Sequence, residues 1–282
     1  MMKKFLLTLL FIILISQPCN AFCFSGVCKD ENAVRRVINS QVKYANKTNL
    51  EKFISTYDEN YTSADGFNLE IYTKLINDIW STYNGVKYGI EIKNIKVANN
   101  RATVEVIEKS EAKLFLSKAY QGTLHSSANS IYHLKKNNQN RWKVVSDEVL
   151  DETTTLLYGR AQELEIKLTA PEVIEANKDY IAMLEFEPPR GLMAIASLAT
   201  DLVEYPQKPT KEVFRVLPDD NILERIFTSN NQKLNEYVVA SIGLTESKVT
   251  DLSINLTLVG FGYVIKRVNV NQENTGGVNV KN

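Results

Sequence analysis

The sequence predicts an α+β domain followed by an all-β domain. Apolar residues recur at helical spacing early in the chain, and beyond Gly85 they alternate as they do along strands. A second change falls at residues 158–163, where an acidic strand end gives way to a new series of short alternating segments. We therefore expect three helices packed on a curved antiparallel sheet over residues 31–159, then an antiparallel β-sandwich over 160–272 and a flexible tail over 273–282.

The first 21 residues have the pattern of a secretory signal peptide. Lys3 and Lys4 precede an apolar run over residues 5–15, and Cys-Asn-Ala ends at the small residue Ala21. The run is too short to span a bilayer, which takes about 20 residues. We expect cleavage after Ala21, no membrane span in the mature chain, and a periplasmic or secreted location. Lipoprotein processing at Cys19 is the alternative.

Charge and composition restrict the partners. The 33 basic and 33 acidic residues balance, and loss of Lys3 and Lys4 with the signal peptide leaves a net charge of about −2. Nucleic-acid binding is not expected, because it depends on clustered Lys and Arg. A small apolar ligand or a protein partner fits this composition better.

Two cysteines remain after the predicted cleavage, in the short segment over residues 22–30. Cys23 and Cys28 are expected to form a disulfide, since an exported chain meets an oxidising compartment. The alternative is a metal or redox pair, but after the expected cleavage the sequence has no further cysteine and no nearby histidine as a ligand. No metal site and no cofactor are expected.

Three stretches have the pattern of amphipathic helices. The stripe of the first is formed by Val34, Val37, Ile38, Gln41 and Ala45. The second is expected to begin at Thr48, because Glu51 follows at the spacing of a capping box. The third begins near Asn68, after the chain break at Asp65-Gly66. Its apolar residues are Leu69, Tyr72, Leu75, Ile76, Ile79, Trp80 and Tyr83.

Two β-hairpins follow these helices. Asn99 and Asn100 join the first pair of strands, since asparagine tolerates the positive φ of a tight turn. The segment NNQN joins the second pair. The four strands are expected over residues 88–97, 101–108, 127–136 and 141–148. Residues 112–126 are either a loop or a short strand.

The first half resembles the nuclear-transport-factor-2-like cone fold, which is shared with ketosteroid isomerases and polyketide cyclases. The resemblance rests on the element order and on the segments NKTNLEKFISTYDENYTSADGF and NRWKVVSDEVLDE, and it covers about residues 31–159. It implies a bent sheet that wraps a long helix and leaves a cone-shaped apolar cavity. Because this fold hosts many unrelated functions, the site residues have to indicate the activity.

The resemblance places Asp65 where ketosteroid isomerases hold their general base. The two oxyanion donors of those enzymes, a tyrosine and a protonated aspartate, correspond here to Gln41 and Tyr132. One donor is thus lost and one is altered, so steroid isomerisation is not expected. Asp65 has a second interpretation, because Asp before Gly commonly bonds its own backbone in a turn. We favour the turn.

The candidate pocket consists of Tyr57, Tyr61, Asp65, Trp80 and Tyr132. Its aromatic members could line a ligand cavity, or they could simply pack in the core, as aromatic residues at helical spacing commonly do. No residue is assigned a catalytic role.

Other polar residues have plain interpretations. His125 and His133 are expected to be surface or hydrogen-bonded histidines rather than general bases. The acidic cluster at residues 147–152 is expected to be a solvated chain end, because it lacks the ligand pattern of a calcium loop.

The second half consists of short alternating segments bounded by Pro, Gly, Asn or Asp. They are ELEIKLTAP, DYIAMLEFEPP, GLMAIASLA, EYVVASIGLT and SINLTLVGFGYVIKRVNV. This pattern is typical of a sandwich, here only loosely immunoglobulin-like. Residues 205–227 interrupt it and form either a crossover between sheets or a partner-contact loop.

Two classes of function follow. The favoured one is an exported, non-enzymatic two-domain protein that binds a small ligand or acts as a protein-interaction or envelope scaffold. The alternative is an isomerase, dehydratase or cyclase acting on an apolar cyclic substrate with Asp65 as general base.

Overall fold

Among the described residues, α-helices come first and mostly antiparallel strands follow. The computed structural model describes residues 25–83, 85–117, 120–208, 211–250 and 253–271. Within them the helices are α1 (Ser25–Ala45), α2 (Leu50–Ile54) and α3 (Leu69–Thr82). The strands are β1 (Lys87–Ala98), β2 (Arg101–Phe115), β3 (Gln121–Lys136), β4 (Trp142–Gly159), β5 (Lys167–Thr169), β6 (Val173–Glu175), β7 (Asp179–Glu185), β8 (Leu192–Leu202), β9 (Arg215–Val216), β10 (Ile222–Thr228), β11 (Glu236–Thr250) and β12 (Ser253–Asn271). The predicted change from helices to antiparallel strands is confirmed.

Asparagine side chains cap α2 and α3. Asn68 accepts a hydrogen bond from the backbone of Ile71 and starts α3 at the predicted position. At α2 the capping residue is Asn49, which accepts from the backbone of Lys52, and the prediction of Thr48 as the cap is wrong. Thr48 has a positive φ of 47° and belongs to the turn that ends α1.

The predicted apolar stripes of α1 and α3 face the sheet. Val34 and Ile38 of α1 are fully buried, and each contributes about 1.5–3 kcal/mol by leaving water. The stripe of α3 packs on the same core through Leu69, Tyr72, Ile76 and Trp80. These helices therefore cover the face of β1–β4 on which Val104, Leu134 and Val144 are buried.

The hairpin strands are longer than predicted. Within the stretch expected to be a loop or a short strand, residues 112–115 continue β2 and residues 121–126 continue β3, and the two segments are paired. The turn at Asn99 has the expected positive φ, 55°. β4 extends beyond residue 148 to Gly159 and pairs with β3 over most of its length.

A second core lies between two sheets in the second half. The strands β10, β7 and β5 form a three-stranded sheet. Its buried side chains, including Leu184 and Phe227, pack with those of β8, β11 and β12, including Leu198, Val238 and Val264. This face-to-face arrangement has the layers of a sandwich.

One sheet runs through both halves of the chain. Its strand order is β1-β2-β3-β4-β12-β11-β8-β9, with β6 paired to β12. The join is made by the last part of β4, where residues 153–159 pair with residues 266–260 of β12. The predicted boundary at residues 159–160 thus falls where backbone hydrogen bonds connect the halves, and the division into two domains stays a prediction.

Glycines allow the chains to approach closely at this join. Gly159 has a φ of 56° and is paired with Gly260. A Cβ on Gly260 would lie 2.4 Å from the backbone nitrogen of Ala161, which is fully buried. A side chain at residue 260 therefore cannot be accommodated without moving the backbone.

Candidate functional site

A cavity of about 280 Å³ lies between the three helices and the strands β1–β4. This volume is at the lower limit of the usual range for ligand pockets, about 300–1,000 Å³, and suits a compact molecule. Most of the lining is apolar, and the aromatic side chains in it are Phe53, Tyr57, Tyr72, Trp80, Tyr88 and Tyr132.

The aromatic side chains form a cup in which most neighbouring rings are inclined to one another, while Phe53 and Tyr72 are nearly parallel at 28°. The ring centroids of Phe53 and Trp80 are 5.6 Å apart with an interplanar angle of 68°. Tyr57 and Tyr72 are 5.2 Å apart at 52°, and their hydroxyl oxygens are 3.2 Å apart. Burial raises the pKa values of Tyr57, Tyr72 and Tyr132, so these phenols stay protonated and can donate hydrogen bonds.

Gln41 of α1 brings an unpaired amide into the cavity lining. Only 4% of this residue is exposed, and neither its Nε2 nor its Oε1 atom has a hydrogen-bond partner among the described residues. A buried amide without partners costs about 1–3 kcal/mol, and in native proteins such groups are usually satisfied by water or a ligand. Gln41, a residue of the lining, therefore carries a buried donor atom and a buried acceptor atom that no described part of the protein satisfies.

Glu108 of β2 supplies a carboxylate to the same lining. Its Oε1 accepts a hydrogen bond of 2.7 Å from the hydroxyl of Tyr132, and its Oε2 accepts one of 2.7 Å from Ser130. Both donors lie on β3, which pairs with β2. In the described part of the chain, no Lys or Arg stands within ion-pair distance of Glu108.

Glu152 of β4 is a second carboxylate in the lining and connects it to the second half. Its Oε2 accepts a hydrogen bond of 3.0 Å from the hydroxyl of Tyr237 on β11. Burial raises the pKa of Glu152, and this hydrogen bond and the charge of Arg267 oppose the rise.

Asp147 of β4 lies behind the aromatic cup. The hydroxyl of Tyr61 donates to its Oδ1 at 2.5 Å, and the ring of Tyr61 packs edge-on against Tyr57 with centroids 4.9 Å apart. Burial raises the pKa of Asp147 to about 6, the Tyr61 hydrogen bond works against this, and the nearby Glu108 carboxylate adds to it.

Asp65 faces the second half of the chain. Its Oδ1 accepts hydrogen bonds of 2.5 Å from Arg267 on β12 and 2.7 Å from Asn235. The backbone does turn here, with a φ of 82° at Gly66. The side chain that caps the turn is that of Ser63, whose hydroxyl oxygen accepts a hydrogen bond from the backbone N–H of Phe67. Neither prediction describes the Asp65 side chain, which is neither a base in the cavity nor the cap of its own turn.

The predicted pocket residues divide into three groups. Tyr57, Trp80 and Tyr132 are in the cavity lining. Tyr61 lies behind it, between Tyr57 and Asp147. Asp65 is outside the lining, because its carboxylate is bound to Arg267.

Sequence reasoning missed both carboxylates of the lining. Glu108 and Glu152 are charged residues on strands, and a charged side chain on a strand is ordinarily expected to face solvent. On β2, Glu108 follows the buried Val104 and Val106 at steps of two residues, so it lies on the same face of the strand. This alternation was the sequence signal that could have identified it. The acidic cluster at 147–152 was expected to be solvated, whereas burial raises the pKa of both Asp147 and Glu152.

Hollows elsewhere offer less chemistry. One of about 700 Å³ contains His133, whose Nδ1 is 3.4 Å from the hydroxyl of Thr103, among exposed residues such as Lys135. Another of about 1,090 Å³ contains His125 and the exposed Phe115. Neither holds a buried polar side chain without a partner among the described residues.

The predicted cysteine pair lies outside the described residues, since Cys23 precedes them and the side chain of Cys28 is not described. Among the residues that are described, no group of three or more His, Cys, Asp and Glu side chains is placed to hold a metal ion. No helix in this part of the chain has the length and apolarity needed to cross a membrane.

Under half of the chain is similar to proteins of known structure. About 45% of this chain matches 42% of Bd1075 from Bdellovibrio bacteriovorus, at 16% identity and a TM-score of 0.37. A Streptomyces avermitilis protein, named as a candidate dehydratase of the NTF2-like family, matches 43% of this chain over 96% of its own, at 10% identity and a TM-score of 0.36. ActVI-ORFA from Streptomyces coelicolor matches 44% of this chain over 94% of its own, at 11% identity and a TM-score of 0.32.

These neighbours agree with the resemblance expected from the sequence. A protein named as a member of the NTF2-like family is among these neighbours, and the matches cover under half of the chain. The match spans less than half of the Bdellovibrio protein, and at these identities no activity carries over. No protein-family model and no curated protein matches the sequence.

Proposed function

We propose that this protein is exported and that its first half binds a small, largely apolar ligand without transforming it. The observation that carries the proposal is the unpaired amide of Gln41 in a cavity otherwise rich in aromatic side chains. A polar group on the ligand would give that amide a hydrogen-bond partner and so remove the free-energy penalty of its burial. An apolar ring on the same ligand would pack against the aromatic side chains.

The position of Asp65 counts against Asp65 as the general base of the predicted alternative. An isomerase, dehydratase or cyclase of the predicted type needs a free carboxylate facing the substrate. The Asp65 carboxylate is held by Arg267 and Asn235 outside the cavity lining, so it is not available as that base.

Export rests on the sequence alone. Lys3 and Lys4, the apolar run after them and the small residue at Ala21 support a cleaved signal peptide and a periplasmic or secreted location. Sequencing the N-terminus of the protein from its own host tests this, with Phe22 expected as the first residue. A mature protein beginning at Met1 would overturn it.

Calorimetric titration with naphthol tests ligand binding. Naphthol is neutral and compact, and its hydroxyl can both donate to and accept from the Gln41 amide. We expect one saturable site per chain, lost in Ala128→Phe, which places a ring in the cavity lining. The matched control is Ala98→Phe, the same change at an exposed strand end.

The result depends on the comparison of the two variants, both checked for folding by circular dichroism. Equal binding by Ala128→Phe and Ala98→Phe would place naphthol outside the cavity and contradict the proposal. Absence of saturable binding to the unmodified protein would contradict it as well. Gln41→Leu supplies a third comparison, with weaker naphthol binding expected in an intact fold.

A further inference from the structure

We infer that the ligand of this cavity carries a protonated amine on a small apolar ring or chain. The inference rests on the proposed function, because it specifies the chemistry of a ligand whose binding was proposed above. Three independent features of the lining support it: its carboxylates, its aromatic faces and the unpaired amide.

The charged groups at the cavity favour a cation. Glu108 and Glu152 both contribute to the lining, and the hydrogen bonds to Glu108 come from the neutral hydroxyls of Ser130 and Tyr132. Neutral donors stabilise a carboxylate but leave its charge in place. A cation entering the cavity would therefore meet uncompensated negative charge in a site partly shielded from water.

The nearby basic residues do not neutralise this charge. Arg267 acts on Glu152, but it is hydrogen-bonded to Asp65 at 2.5 Å, so its charge is divided between these two carboxylates and does not pair with Glu108. Lys109 reaches the lining but is exposed, and its charge acts on Glu91 at the surface. Asp147, behind the aromatic cup, adds a further acidic group on the same side.

The aromatic cup is suited to the same ligand. Phe53 is inclined to Trp80 at 68° and to Tyr57 at 51°, and all three side chains line the cavity. The negative face of an aromatic ring attracts an ammonium group, and cups of this kind recognise organic cations. A ring on the ligand would pack against the remaining apolar lining.

Gln41 adds a preference for an amine that still has N–H groups. Its Oε1 lacks a donor and its Nε2 lacks an acceptor among the described residues. An ammonium N–H would satisfy Oε1, whereas a quaternary ammonium group has no N–H to offer. Nε2 would be satisfied by an oxygen on the same ligand or by a water molecule.

A metal ion is a poorer fit than an organic cation. Within the described residues, no set of three or more His, Cys, Asp or Glu side chains is placed to bind one ion. Much of the lining is aromatic, and hard cations prefer several oxygen ligands at short distance.

The test compares three soluble probes of one shape. Phenethylamine carries the cation, phenethyl alcohol is its neutral counterpart, and hydrocinnamate carries a carboxylate. Titration calorimetry at neutral pH should show phenethylamine binding about tenfold or more tightly than phenethyl alcohol, with hydrocinnamate the weakest of the three. Ala128→Phe should abolish binding of both the amine and the alcohol.

Glu108→Gln identifies the source of the preference. It should reduce the affinity for phenethylamine about tenfold and leave that for phenethyl alcohol nearly unchanged. The matched control, Glu105→Gln, lies on the same strand outside the cavity lining and should change neither affinity. Should Glu108→Gln fail to fold, the comparison of the three probes on the unmodified protein still decides.

The outcomes separate this inference from the proposed function. Equal or tighter binding of phenethyl alcohol, abolished by Ala128→Phe, would overturn the amine and leave the ligand cavity standing. Binding of none of the three probes, nor of naphthol, would overturn both.

Discussion

Asp65 and Arg267 form a buried ion pair between residues 202 positions apart in sequence. The side chain of Arg267 is 1% exposed and that of Asp65 is 10% exposed. Asn235 joins the pair by donating to Asp65 while it accepts from the backbone of Val270. The turn before α3 is thereby held against β12, so the halves are joined by side chains as well as by the shared sheet.

Asp65→Asn should destabilise the protein by about 3–5 kcal/mol, because it leaves the buried Arg267 guanidinium without a compensating charge. Arg267→Met should also destabilise it, and the double variant should lose less than the sum of the two single losses. Urea unfolding gives the three free energies. Glu70→Gln, in an exposed pair with Lys74, is the control and should change little. An unchanged free energy of unfolding in Asp65→Asn would show that the pair does not stabilise the fold.

Ionisation of Asp147 should lower the free energy of unfolding as the pH rises from about 4 to about 6. Its pKa is raised from 3.8 to about 6 in the folded chain, so the folded state binds more protons than the unfolded state in this window. The stabilisation is full below the unfolded pKa and is lost as the pH passes the folded one, by up to about 3 kcal/mol.

Asp147→Asn is the variant that isolates this effect. Asn keeps an acceptor for the Tyr61 hydroxyl and does not titrate. Both proteins are unfolded in urea at a series of pH values. The free energy of unfolding of Asp147→Asn should increase relative to that of the unmodified protein as the pH increases to 6 and beyond. A constant difference between the two across this window would contradict the raised pKa.

Gln41→Leu should stabilise the ligand-free protein by about 1–2 kcal/mol, because it removes a buried amide that has no partner. The comparison is Gln232→Leu, at an exposed turn, which is expected to be neutral. Thermal or urea unfolding of the ligand-free proteins measures both. Destabilisation by Gln41→Leu would mean that the amide already has a partner in the free protein.

Gly260→Ala should destabilise the fold by about 2 kcal/mol or more, because its Cβ would meet the backbone of Ala161. Gly89→Ala is the matched change within β1, where no atom lies within 4 Å of the added Cβ, and it should be neutral or slightly stabilising. Equal effects in the two variants would show that the join near Gly159 is loosely packed.

Cleavage of the backbone at one position tests whether the two predicted domains fold independently. A protease site inserted at Arg160–Glu163 should yield fragments that elute together and separate only in denaturant, because β4 and β12 remain paired. Size-exclusion chromatography before and after urea treatment shows which occurs. Fragments that separate under native conditions and stay folded would support two independent domains instead.

The parts of the fold that depend on local pattern were predictable. The 3.6-residue period of α3 and its asparagine cap are properties of neighbouring residues, as is the turn at Asn99. The pairing of β4 with β12 was not predictable, because register between distant strands depends on which edge is open in three dimensions.

The candidate site follows the same rule. Tyr57, Trp80 and Tyr132 could be proposed from aromatic spacing and the family resemblance. The partner of Asp65 could not, since an Asp-Gly turn has the same sequence whether its carboxylate faces water, a cavity or an arginine on a strand 202 residues later. Which buried polar groups lack a partner likewise emerges only from the packed structure.

The central position of β12 has a consequence for how the chain is made. β12 is inserted between β4 and β11, yet it is the last strand to be synthesised among those described. Until it emerges, β4 has an open edge along residues 153–159 and Asp65 lacks its arginine. An open strand edge invites pairing with other chains. The nascent protein therefore passes through a stage in which its helices and β1–β4 can assemble but remain prone to association, and the last strand ends that stage for both halves at once.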